Sequence, residues 1–228
     1  AASITMYILC FRSKELSLRI DSGRFLPTWD VVKRALHIGL PMGIQQTIMT
    51  SAYIVTTIII APLGTFAIAA NSFGIIVESL CYMPGYGVSD AATTLVGQSM
   101  GAGRYELMKR FAWLSVALGM GIMTVMGVVM YVGAPFAMAM MTPSEEVRQL
   151  GVEVLRIEAF AEPMFGAAII SYGVFVGAAK TIAPSVMNLI SMWGVRITLA
   201  AMLAPSMGLR GVWLAMCLEL TFRGVIFL

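Results

Sequence analysis

Six apolar stretches, near residues 38–60, 68–97, 112–134, 155–179, 183–204 and 209–228, each reach the roughly 20 residues that a helix needs to cross a hydrocarbon core. No other feature constrains the chain as strongly. Lipid offers no partner to backbone N–H and C=O groups, so stretches of this length must satisfy those groups internally, as helices. The charge content agrees: 12% of the residues are charged and 59% hydrophobic, against roughly a quarter charged in soluble proteins. A soluble chain of this length needs a charged skin, and there is too little charge here to make one. The expectation is an all-α integral membrane protein with six spans. In the second stretch Pro84 removes a backbone donor, and Gly85 and Gly87 admit unusual dihedrals, so "MPGYG" at 83–87 is expected to kink or partly unwind the helix.

The segments before the first span differ in kind. Residues 1–11 are apolar, lack both a basic leader and a small-residue cleavage site, and fit the last turns of a preceding membrane helix. Residues 12–37 read as a linker that carries an interfacial amphipathic helix from Pro27 onward, with Trp29 near the headgroups. Residues 38–228 form the six-helix body. Basic residues gather on alternate connections: Arg12, Lys14, Arg19, Arg24, Lys33 and Arg34, then Arg104, Lys109 and Arg110, then Lys180, with Arg223 near the same face. The opposite connections hold Arg148 and Arg156, diluted by Glu145, Glu146 and Glu153, and Arg210. The positive-inside rule makes the first set cytoplasmic, placing the linker and the C-terminal end on the cytoplasmic side of a multi-pass protein of the plasma membrane, the inner membrane in a bacterium. No basic stripe with interleaved aromatics is present, so nucleic acid is not an expected partner.

Residues 97–104, "GQSMGAGR", raise the question of a phosphate loop. Such a loop needs a preceding strand and a GK[ST] or GxGxxG ending before a helix. Here the glycines follow a membrane helix and fit its terminus, with Arg104 at the surface, while Gly97 and Gly101 match the GxxxG close-packing pattern. The whole stretch "ESLCYMPGYGVSDAATTLVGQSMGAGR", with "IGLP" at 38–41, "APLGT" and "AAN" around the first loop, "WGVRITLA" at 193–200 and "GLRGVWLAMCLEL", resembles the MATE family (multidrug and toxic compound extrusion). The resemblance covers nearly the whole chain and is to the second half of such a transporter. It implies a twelve-helix, two-lobe architecture in which residues 38–228 are the C-terminal six-helix lobe and the N-terminal lobe is its partner.

Ionisable groups inside spans are the natural functional candidates, because a charge near the bilayer centre costs several kcal/mol. Glu219 and Arg223 stand four apart in the favourable order for an intrahelical pair. Arg196, mid-span, is expected to neutralise a carboxylate on a neighbouring helix, with Glu162 a candidate partner. Glu158 and Glu162 are like-charged, four apart on one expected helix face and followed by Pro163, so one of them is expected to take up a proton or share a cation. The bland alternative leaves Glu158 solvated beside Arg156. Glu78 either lines a cleft or pairs locally, and Asp90 is solvated nearer the cytoplasm. The first span offers Gln46 and Tyr53, and the second Asn71, as cleft-lining polar groups. The first span holds no carboxylate, however: "QQTIMTSAY" stands where some cation-coupled MATE proteins carry an acid.

Cys10, Cys81 and Cys217 are far apart in apolar runs and make neither a disulfide framework nor a metal site. No nucleophile and base are paired, so no enzyme and no cofactor are expected. The 19 methionines suit an adaptable apolar wall or lipid-facing packing. The resemblance implies a secondary antiporter that exports organic cations, drugs or other amphipathic compounds in exchange for Na⁺ or H⁺, with membrane lipid around it. The alternatives are a lipid-linked oligosaccharide flippase of the same superfamily, which needs a more cationic cleft than Arg196 provides, and a non-transporting membrane domain.

Overall fold

A computed structural model describes residues 28–228, so the readings of residues 1–11 and of the linker up to Pro27 lie outside the described residues. By its contacts the chain divides after Leu40, and the packing below is that of Pro41–Leu228. Every described element is helical: α1 (Trp29–Ile60), a 3₁₀ turn (Ala61–Leu63), α2 (Thr65–Gly101), α3 (Tyr105–Met141), α4 (Glu145–Glu158), α5 (Glu162–Gly177), α6 (Ile182–Leu189), a π-helical stretch (Ile190–Ile197), α7 (Thr198–Met207) and α8 (Leu209–Phe227). Gly43–Leu63, Thr65–Gly101, Tyr105–Met141 and Ile182–Met207 are long and apolar enough to cross a membrane, and α4 with α5 makes a fifth such span when the bent pair is taken as one. The sixth rod, α8, has 19 residues and carries Arg210, Glu219 and Arg223. It buries Trp213, Met216, Glu219 and Leu220. The fold is thus an all-α membrane lobe of six rods, in which α5 packs against α2, α3 and α8.

One local expectation is narrowed and another corrected. α2 does not unwind at "MPGYG" but runs unbroken through Pro84. Pro84 sits on the exposed side, and long helix on both sides confines the loss to one turn. The stretch 155–179, expected as one span, is broken at 159–161 with a bend of 60° between α4 and α5. Pro163 supplies the reason. It lies in the first turn of α5, where its missing N–H is harmless, but its ring excludes the carbonyl of the residue four earlier, Ala159, from helical continuation. That carbonyl is turned toward α3, where a Cβ on Gly127 would come within 2.8 Å of it.

Small residues set the closest helix pairs. On α5, a Cβ at Gly177 would lie 2.5 Å from the Thr93 carbonyl oxygen, and one at Gly173 would lie 2.3 Å from Ser89 Oγ. The approach lets Ser89 Oγ donate to the Ile169 carbonyl at 3.0 Å and Thr93 Oγ1 donate to the Gly173 carbonyl at 2.8 Å. The close-packing pair is therefore Gly173 and Gly177. Of Gly97 and Gly101, only Gly97 meets a neighbour, the Gly177 carbonyl at 3.4 Å. Gly103, at φ +69°, ends α2 in the left-handed conformation that glycine favours, and Arg104 N–H donates back to the Ser99 carbonyl at 3.0 Å.

Candidate functional site

Helical spacing on α2 stacks Glu78, Tyr82 and Tyr86 four residues apart on one face. Tyr82 meets Tyr86 edge-on at 5.6 Å between ring centroids and Phe165 of α5 at 5.7 Å. Behind these rings, four carboxylates converge from four elements. Glu78 comes from α2, Glu158 ends α4, Glu162 begins α5 and Glu219 lies on α8. Glu158 is within electrostatic reach of the other three and of Arg196. Glu158 and Glu162 are each 1% exposed and Glu219 is fully buried. The helix break separates Glu158 from Glu162, so they do not share one helix face as expected but flank the turn from either side. Nor is Glu158 solvated beside Arg156, which lies on the exposed side of α4.

Their hydrogen bonding differs sharply. Glu219 is saturated: Arg223 donates from Nε to Oε1 and from Nη2 to Oε2, both at 2.8 Å, and Ser191 Oγ also donates to Oε1. Among the described residues, Glu158 Oε2 and both oxygens of Glu162 are buried with no hydrogen-bond partner. A carboxylate so placed is expensive as a bare anion. It is a natural acceptor for a proton or a small cation. No three Asp, Glu, His or Cys side chains among the described residues approach closely enough to hold a metal ion.

Arg196 makes no carboxylate ion pair among the described residues, Glu162 included, but it lies within electrostatic reach of Glu78 and Glu158. The π-helical register turns it toward α8, where it reaches the Met216 sulfur; it also lies 3.9 Å from the Met192 sulfur of its own stretch and 5.8 Å from the centre of the Tyr53 ring on α1. Tyr53 is half exposed, and Gln46 is exposed on the same helix. It is the adjacent Gln45, rather than Gln46, that joins two helices, accepting from Ser185 Oγ at 2.5 Å. Asn71 accepts from Trp213 Nε1 at 3.1 Å and thereby fixes the indole against Gly74.

Sequence reasoning missed Ser191, Tyr82 and Tyr86. The two tyrosines were findable, because they continue the four-residue spacing from Glu78. Ser191 was not, because its direction depends on the π register. Chemically, the assembly combines a partly exposed tyrosine patch, whose ring faces suit a cation, with buried carboxylates that can change occupancy.

The MatE family model matches residues 41–202. A probable multidrug resistance protein NorM from Xylella fastidiosa (strain 9a5c) is 30% identical over 227 residues, which are 98% of this chain and 48% of that protein. Another, from Thermotoga maritima, is 26% identical over 230 residues, covering 99% of this chain and 48% of its own. A solved outward-facing conformation of a multidrug resistance MATE family transporter of the MOP superfamily superposes with a TM-score of 0.86 at 17% identity, covering 99% of this chain and 51% of that one. The chain spans about half the length of the relatives it matches.

Proposed function

Because the chain belongs to the MatE family, we propose that it is one six-helix lobe of a secondary antiporter that exports organic cations, drugs or other amphipathic compounds in exchange for Na⁺ or H⁺. A second six-helix lobe supplies the other wall of the cleft, and the linker and C-terminal end lie on the cytoplasmic side of the plasma membrane. The lobe binds and releases; it performs no bond chemistry.

The observation that carries this reading is Glu162 at the α4–α5 break, buried with neither oxygen hydrogen-bonded among the described residues. Buried acids inside a membrane mark ion pathways, and transporters set their coupling sites beside interrupted helices. In this reading Glu162 is the main coupling carboxylate, Glu158 and Glu78 share its charge, and Tyr53, Tyr82 and Tyr86 receive the substrate. Exchange then follows from electrostatics. A substrate cation is attracted while the carboxylates are charged, and a proton or Na⁺ at Glu162 removes that attraction, so each occupant weakens the other. Gln46 and Asn71 border the cleft without contributing charge.

Reconstitution in proteoliposomes tests the reading. A fluorescent organic cation should accumulate when a Na⁺ or H⁺ gradient is imposed and stop when that gradient is collapsed. Flux that ignores both gradients would contradict antiport.

A further inference from the structure

The bend that brings Glu162 to the centre also opens a cleft of about 330 Å³ on the outer side of the same turn, between α3 and the α4–α5 break. Its walls are Thr124, Gly127, Val128, Tyr131, Phe160 and Pro163. None of the four carboxylates lines it. Val128 and Phe160, 60% and 74% exposed, continue the bare apolar face of α3 formed by Val125, Val132 and Phe136. The occupant of such a mouth in a bilayer is an acyl chain.

Charge at the rim selects the lipid. Tyr131 and Phe160 meet edge-on at 5.9 Å, and the Arg156 guanidinium lies over the Tyr131 ring at 5.1 Å. Of the carboxylates along α4, Glu145 is engaged by Arg148 and Glu153 by Arg210, whose Nε is 2.6 Å from the carboxylate, Glu158 is buried, and Glu146 stands in the first turn, ten residues before Arg156. Arg156 is exposed and makes no ion pair among the described residues. It is also the last charge on the exposed side of α4 before the apolar Phe160, which is where a headgroup meets its chains. We infer that this cleft is a binding site for one anionic phospholipid, its phosphate on Arg156 and one acyl chain laid against Val128, Gly127 and Pro163. Because Pro163 and Gly127 are the two residues that shape the break, the bound chain braces the bend from its lipid side. The site stands whether or not the lobe transports.

Native mass spectrometry of the purified protein, equilibrated with equal phosphatidylglycerol and phosphatidylcholine and then partly delipidated, tests the site. Phosphatidylglycerol should be retained about five-fold over phosphatidylcholine, the preference one basic residue confers. Arg156→Gln should abolish that preference and Arg156→Lys should keep it. Val128→Trp, which fills the cleft at a lipid-facing position, should lose retention of both lipids while melting like the parent. Equal retention of the two lipids by the unmodified protein, or an unchanged preference in Arg156→Gln or Val128→Trp, overturns the proposal. The comparison within the unmodified protein decides the matter even if a variant fails to fold.

Discussion

Ser191 and Arg196, five residues apart, both face α8, the first donating to Glu219 and the second reaching Met216. In an α-helix five residues turn through about 500°, leaving such a pair about 140° apart. Between Ile190 and Ile197 the helix is π, and its i→i+5 bonding brings them nearly into line. Register, rather than composition, builds this side of the site.

Deleting Gly194 should therefore restore α register, withdraw one of the two side chains from α8 and destabilise the lobe by about 3 kcal/mol or more. Gly194→Ala should be nearly silent, since the nearest atom to an added Cβ is Ile190 Cγ2 at 3.9 Å. Thermal unfolding in detergent distinguishes the two. Equal losses would mean that space, not register, matters there.

The Glu219–Arg223 pair sets a second test. Arg223→Gln leaves a fully buried carboxylate with Ser191 as its remaining donor, and should cost about 3–5 kcal/mol. Replacing both by glutamine should recover much of this, because the cost is that of an orphaned charge. A double variant no more stable than Arg223→Gln would show that the pair does more than neutralise.

Gly177→Ala should push α5 away from the Thr93 carbonyl, 2.5 Å from the new Cβ, and cost about 1–3 kcal/mol. Gly101→Ala meets nothing within 4 Å and should be neutral or stabilising by up to about 1 kcal/mol. Melting temperatures of the two single variants check the contrast.

These residues also mark where sequence reasoning stops. The helical rods were legible because span length in lipid is dictated by backbone hydrogen bonding, and four of them, or five with the bent pair taken as one, are long and apolar enough to cross a membrane. Pro163 signalled an interruption, but the four-residue spacing of Glu158 and Glu162 looked equally like one helix face, and only the orientation of the Ala159 carbonyl distinguishes a kink from a break. The π stretch left no mark, since one extra residue per turn changes no composition in a run that is apolar nearly all round. The contacts of Arg196 with Met216 and Tyr53 are hidden for the same reason: its direction is set by that turn. Both Gly97–Gly101 and Gly173–Gly177 match GxxxG, and the neighbouring backbone alone decides which pair is used.

For the substrate patch, Tyr86→Leu should weaken binding of a permanently charged organic cation about two- to five-fold, the worth of one exposed cation–π contact. An uncharged compound of similar size should bind as before. Equal weakening of both would make Tyr86 an apolar wall only.

Glu162→Gln measures the central claim most directly, since the exchange keeps the shape of the side chain and removes its charge. The variant protein, reconstituted and driven by a Na⁺ or H⁺ gradient, should lose most substrate accumulation while melting at or above the temperature of the parent, because an unpartnered buried carboxylate has become neutral. Full gradient-driven accumulation by a stably folded Glu162→Gln protein would contradict the account.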